Sequence, residues 1–219
     1  MAMMLVCVVF LLCAALILAK DHPTLPTQWV AETIEPGIGH VMESYNFVAN
    51  PSNDQPSSMW TNYTGCERLI HVTSGNGGER YLLGCESLTC CKEPQQGNQV
   101  EFQIPNIHYS NPNKVVDVQY TPNVTITNFG EKIEADEWSW TYSPGDKVVG
   151  EYKVYTQDCA DCVNGVQLLQ WQDAAFGSAF YAIEFKNYRG IDPQSDEGTQ
   201  FVTTFDIPEV CQGNILTCP

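Results

Sequence analysis

Glu137-Trp138-Ser139-Trp140-Thr141-Tyr142 alternates large aromatic with small or polar side chains at a period of two. Successive side chains of an extended strand leave opposite faces, so Trp138, Trp140 and Tyr142 share one face. The same alternation recurs along the chain. Tyr181, Ile183 and Phe185 oppose Ala182, Glu184 and Lys186. Phe201, Thr203, Phe205 and Ile207 oppose Val202, Thr204 and Asp206, and Val116, Val118 and Tyr120 oppose Asp117 and Gln119. Weaker strands are expected over 28–34, 40–48, 69–73, 80–83, 100–104, 124–128, 148–155 and 166–171.

Turn chemistry separates these runs: Pro36-Gly37, Gly75 to Gly78, Pro144-Gly145-Asp146, Asn164-Gly165 and Ser195 to Gly198. Asn164-Gly165 is a hairpin cue. Residues 50–62 read as a long loop, and 173–179 allow one short helical turn. The expectation is a mainly β domain with little helix, about a dozen antiparallel strands that close, stack or curl. Alternation implies one apolar and one polar face.

The chain has 219 residues, 43% of them hydrophobic and 16% charged, which suits one domain. Ten basic against 26 acidic residues give a net charge of −16. Such a surface repels phosphate, so anionic membrane is a poor partner and no nucleic-acid partner is expected. Residues 1–19 carry no charge and read as a signal peptide cleaved after Ala19, leaving 20–219 as the single domain with no stable membrane insertion. The compartment expected is extracellular, or the lumen of the secretory or endolysosomal pathway.

Eight cysteines follow that leader: Cys66, Cys85, Cys90, Cys91, Cys159, Cys162, Cys211 and Cys218. An even set in an exported chain implies four disulfides, with 105 formal pairings. Cys159–Cys162 is the pair expected first, across a hairpin loop. Bridges from Cys66, Cys85, Cys90 or Cys91 to Cys211 or Cys218 would tie the first half to the end. Zinc is the rival use, but adjacent Cys90-Cys91 is poor tetrahedral spacing. Asn62-Tyr63-Thr64 and Asn123-Val124-Thr125 are glycosylation sequons.

Catalytic motifs are missing: there is no Gly-x-Ser-x-Gly, no His-Glu-x-x-His and no phosphate-binding glycine loop. His108 is the one histidine in a distinctive segment, and no serine or carboxylate is selected to join it. Asp136 and Glu137 are adjacent on a strand and point apart, so they cannot converge as a glycosidase pair. Asp192, Asp196 and Glu197 lack EF-hand spacing and read as a solvated loop. No cofactor, metal or enzymatic activity is expected.

The aromatic faces leave two readings open: a packed core, or a curved sheet around a cavity for an apolar ligand. Several segments then point to a family. Thr27-Gln28-Trp29-Val30-Ala31, Glu43-Ser44-Tyr45, Gly84-Cys85, Cys90-Cys91, Glu101 to His108, Asp136 to Trp140 and Phe205 to Cys211 resemble, in order, the ependymin-related and LolA-like secreted proteins. The resemblance implies one strongly curved antiparallel sheet, a half-barrel or bowl, with an apolar interior suited to lipid. The function expected is non-enzymatic binding of a hydrophobic small molecule or lipid. Trp138, Trp140, Tyr142, Tyr181, Ile183 and Phe185 are the lining candidates. The alternatives are an extracellular adhesion or matrix glycoprotein, calcium-associated, and a hydrolase with an unrecognised site.

Overall fold

A computed structural model describes residues 23–35, 39–46, 57–63, 65–72, 78–84, 89–93, 118–142, 150–175, 181–213 and 215–218. The expected leader, the 100–104 strand, Cys85 and His108 lie outside the described residues. The strands are β1 (Gln28–Glu35), β2 (Gly39–Asn46), β3 (Ser57–Tyr63), β4 (Cys66–Val72), β5 (Gly78–Leu83) and β6 (Cys90–Lys92) in the first half. The second half adds β7 (Gln119–Asn128), β8 (Glu131–Tyr142), β9 (Gly150–Asp158), β10 (Val166–Ala175), β11 (Tyr181–Ile191) and β12 (Leu216–Thr217). All belong to one sheet, ordered β12-β6-β5-β4-β3-β2-β1-β11-β10-β9-β8-β7. Two antiparallel meanders meet where β1 pairs with β11. The sheet is open, ending at β12 and β7, and β12 runs parallel to β6.

Register sorts the side chains. Trp29, Ala31 and Thr33 of β1 stand opposite Tyr45, Glu43 and Val41 of β2. Trp171 opposes Ile183 and Val154, and Trp138 opposes Val154 and Tyr120. All these residues lie on one face, the aromatic face. The opposite face is also covered, contrary to the simple apolar-in, polar-out expectation, because two separate pieces of chain fold onto it.

The first cover is the β7–β8 hairpin. β8 pairs with β9 only from Asp136 onward, and its residues 131–135 pair with β7 alone. The hairpin end crosses the sheet instead: Asn128 Nδ2 donates to the Phe185 carbonyl at 3.0 Å. At its tip Phe129 N donates to the Glu184 carboxylate, and Lys186 Nζ lies 5.4 Å from the Phe129 ring centre. Ile126 and Ala135 thereby bury against Tyr155 and Leu169. Leu169 joins them because the β9–β10 register shifts between Leu168 and Gln170.

The second cover is helix α1 (Asp196–Thr203) and the tail after it. The expected strand at 201–207 is therefore corrected. Ser195 Oγ accepts from Gly198 N at 3.0 Å and caps the helix, and Asp196 and Glu197 favour its positive N-terminal end. Phe201 and Phe205, four apart, meet edge to face at 5.2 Å and pack with Leu69, Tyr81 and Cys90. His71 Nε2 donates to the Phe205 carbonyl at 2.7 Å. Gly198 allows the tight entry to the helix, since a Cβ there would sit 2.1 Å from the Asp192 carbonyl oxygen.

Two more expectations change. Ser57–Tyr63 is strand β3, not the end of a loop, because its mixed polar residues pair on both sides with β2 and β4. Residues 173–175 continue β10 rather than starting a helical turn, held by register with β9. The Asn164-Gly165 turn is found as expected, with Asn164 at φ 62° and Cys159 N donating to the Gly165 carbonyl at 2.9 Å.

Disulfides pin the covers. Cys90–Cys211 and Cys91–Cys218 join β6 to the tail across 121 and 127 residues, and Cys159–Cys162 closes the β9–β10 turn. Cys66 is bonded too, to a partner outside the described residues. Being in disulfides, Cys90, Cys91, Cys159 and Cys162 are not zinc ligands.

Candidate functional site: an aromatic sheet face

The aromatic face is continuous over six strands. Trp29, Ala31, Tyr45, Trp138, Trp140, Val154, Leu168, Trp171, Ile183, Phe185 and Tyr188 form one buried cluster. The rings touch in series: Trp29 lies 5.4 Å from Tyr45, 5.7 Å from Phe185 and 5.6 Å from Tyr188. On the other side Tyr152 stacks between Trp140 at 5.8 Å and Trp171 at 6.5 Å, and Trp138 lies 4.6 Å from Tyr120. Tilted and edge-on pairs of this kind satisfy the ring quadrupoles.

Four of the six lining candidates, Trp138, Trp140, Ile183 and Phe185, are thus brought together. Tyr142 and Tyr181 belong to β8 and β11, and their side chains lie outside the described ones. Tyr188 was missed by period-two reasoning for a structural cause. The β1–β11 register shifts between Val30 and Glu32, with Asn187 at φ 54°, so Phe185 and Tyr188 share a face although three apart. Trp29 and Tyr45 carry the ordinary alternation of expected strands, and that signal could have found them; Trp171 follows the β9–β10 register shift, which sets it on the same face as Leu168, three residues away.

Among the described residues, the partly buried apolar groups packed on this cluster are Leu25, Met59, Val118, Tyr120 and Tyr152. Of these, Leu25 and Val118 come from outside the strands, Val118 next to β7 and Leu25 three residues before β1. Helix α1 and the hairpin end, by contrast, pack on the opposite face. Polar demands inside the face are met locally, with Trp138 Nε1 donating to Thr156 Oγ1 at 3.0 Å. From β2 onward the face is mixed: Tyr45, Met59 and Ile70 stand abreast in one row and Glu43, Thr61 and Arg68 in the next, where Thr61 Oγ1 donates to Glu43 Oε1 at 3.5 Å.

Titrating groups gather elsewhere, under the tail. Burial lowers the pKa of His71 despite its bond to Phe205. Hydrogen bonds from Lys92 and Tyr81 hold Glu79 below the usual carboxylate range. These groups share a face with Leu69 and Cys90. Among the described residues, no three His, Cys, Asp or Glu groups are placed to hold a metal. Asp192 Oδ1 accepts from Gln194 N at 2.9 Å and Glu197 pairs with Arg189 at 2.5 Å, so both serve the entry to α1. Asn123 is exposed on the bulge of edge strand β7, whereas Asn62 is exposed on interior strand β3 with its Nδ2 donating to Glu67.

No family model and no curated protein matches this sequence. Among solved structures, a DUF1329 family protein from Desulfovibrio piger is similar over 78% of this chain and 86% of its own, at 12% identity and a TM-score of 0.34. A domain assigned to outer membrane lipoprotein sorting, from Vibrio parahaemolyticus, is similar over 81% of this chain and 90% of its own, at 6% identity and a TM-score of 0.40. Neither structure is described as an ependymin. At such overlaps neither neighbour bears on function.

Proposed function

We propose that the protein is an exported, non-enzymatic carrier that holds an apolar, lipid-like molecule against the aromatic face. One observation carries the reading: a six-strand face of large aromatic residues on which, among the described residues, the segment at Leu25 and Pro26 and the single residue Val118 pack from outside the strands, while helix α1 and the hairpin end pack on the other side. These rings are already buried, so the gain comes from the ligand, at roughly 25 cal/mol for every square ångström of its own hydrocarbon surface taken out of water. That gain needs no covalent step, in keeping with a face whose buried groups are rings, aliphatic chains and hydrogen-bonded polar atoms. Disulfides between β6 and the tail suit an oxidising compartment.

The test is native mass spectrometry of the secreted chain, purified without organic solvent. The expected spectrum shows extra mass that denaturation releases, unlike a glycan. A bare protein mass, together with no binding of the apolar fluorophore N-phenyl-1-naphthylamine, would refute the proposal.

A further inference from the structure

Tyr188 lies within the aromatic face at 6% exposure, between Trp29 and the Phe185 ring, which is 6.3 Å away. Its hydroxyl has no hydrogen-bond partner among the described residues. Thr33, at 0% exposure, stands directly opposite Phe185 in the β1–β11 ladder, and its Oγ1 also has no partner among them. Two stranded hydroxyls therefore flank one phenylalanine on the same face. Buried polar groups are nearly always paired, and leaving one unpaired is costly. The face is not careless with its other polar atoms, since the Trp138 indole finds Thr156.

The backbone makes a special provision for Tyr188. Regular alternation after Phe185 would send residue 188 to the opposite face. The register shift and the positive φ of Asn187 return its ring to the aromatic side. Bulges often re-aim a side chain next to a binding site. A water at the hydroxyl would need two or more polar partners, and the rings in contact with Tyr188 are Trp29 and Phe185. Burial alone raises the phenol pKa, with no charged neighbour contributing, and such surroundings suit a neutral acceptor over a carboxylate.

We propose that Tyr188 Oη and Thr33 Oγ1 donate to a neutral oxygen of the bound molecule, so that the ligand is an apolar ketone, ester or alcohol rather than a bare hydrocarbon. This rests on the reading of the aromatic face as a ligand platform, and the experiment separates the two. Two probes are titrated into the delipidated protein. One is 6-propionyl-2-dimethylaminonaphthalene, whose emission reddens when its ketone accepts a hydrogen bond; the other is N-phenyl-1-naphthylamine, which has no oxygen.

Tyr188→Phe is expected to weaken the ketone about five- to tenfold and shift its emission to the blue, with the amine probe unchanged. The variant deletes only an unpaired hydroxyl, so its melting temperature is expected to hold or rise. Thr33→Val is expected to act in the same direction. Unchanged ketone affinity and emission in both variants would overturn the assignment. So would equal losses for both probes, which would mean a packing role. Failure of either probe to bind the wild type would overturn the platform reading itself and this assignment with it.

Discussion

The two bridges between β6 and the tail share a consequence that their sequence separations alone conceal. Taken singly, a bridge closing 121 residues is worth about 5 kcal/mol of lost chain entropy in the unfolded state. But Cys90 and Cys91 are neighbours, and Cys211 and Cys218 are close in sequence. With either bridge intact, the other closes a ring of only about ten residues (90, 91 and 211–218), worth about 3 kcal/mol. The Cys90→Ala/Cys211→Ala and Cys91→Ala/Cys218→Ala variants should therefore each lose about 3 kcal/mol, and removing both bridges about 8. A domain with ordinary stability of ~5–15 kcal/mol tolerates the first loss, and one in the lower half of that range is unfolded or nearly so after the second. Urea unfolding at neutral pH reads these values, with a steeper denaturant slope as the unfolded chain expands. Either single-bridge variant losing about 5 kcal/mol, or a double loss no greater than the two single losses added, would refute the shared-ring reasoning.

Two further outcomes are expected. Trp140→Ala, which removes the ring stacked on Tyr152, should weaken N-phenyl-1-naphthylamine binding by roughly 1–3 kcal/mol; a stability loss of about 3–5 kcal/mol with a wild type that binds no probe would instead mark a close-packed core. Because burial depresses the folded-state pKa of His71, the unfolded chain takes up a proton first as pH falls below 6.5. Thermal stability should then drop below that pH and level off once the folded form is protonated too, and His71→Gln should flatten the slope; an identical slope in the variant would remove His71 from the account. Loss of the Glu79–Lys92 contact belongs to a lower window, below the ordinary glutamate pKa of 4.5, so the two effects are separable in one pH series.

Much of the sheet was legible because alternation survives wherever a strand keeps one face buried and has ordinary partners. Trp138 and Trp140, or Ile183 and Phe185, needed nothing beyond the period of two. The helix at 196–203 was misread because Phe201, Thr203 and Phe205 also alternate. The deciding signal was local: Ser195 followed by two acids and Gly198, with Phe201 and Phe205 one turn apart. Strand β3 was hidden by Ser57, Ser58, Thr61 and Asn62, whose burial or pairing comes from neighbouring strands and not from their own polarity. Tyr188 was illegible for a different reason, since a bulge changes parity without leaving a mark in hydrophobicity.

The same bulge ties the site to the fold. The hairpin end reaches across the opposite face and anchors at β11 through Phe185 O and Glu184, next to the irregular stretch ending at Tyr188. Strand β11 is thus gripped from behind by the hairpin while its front carries Ile183, Phe185 and Tyr188. A sheet one layer thick would twist freely under a ligand. Here the α1 tail backs β3 to β6, the hairpin backs β9 to β11, and the disulfides fix the first of these. Covering the back of an open sheet in two places braces it while keeping its aromatic front clear of both covers. Four of the five tryptophans stand on that front, with Trp60 on the back, and under the proposed carrier role a preorganised apolar surface of this kind would lose little freedom on binding.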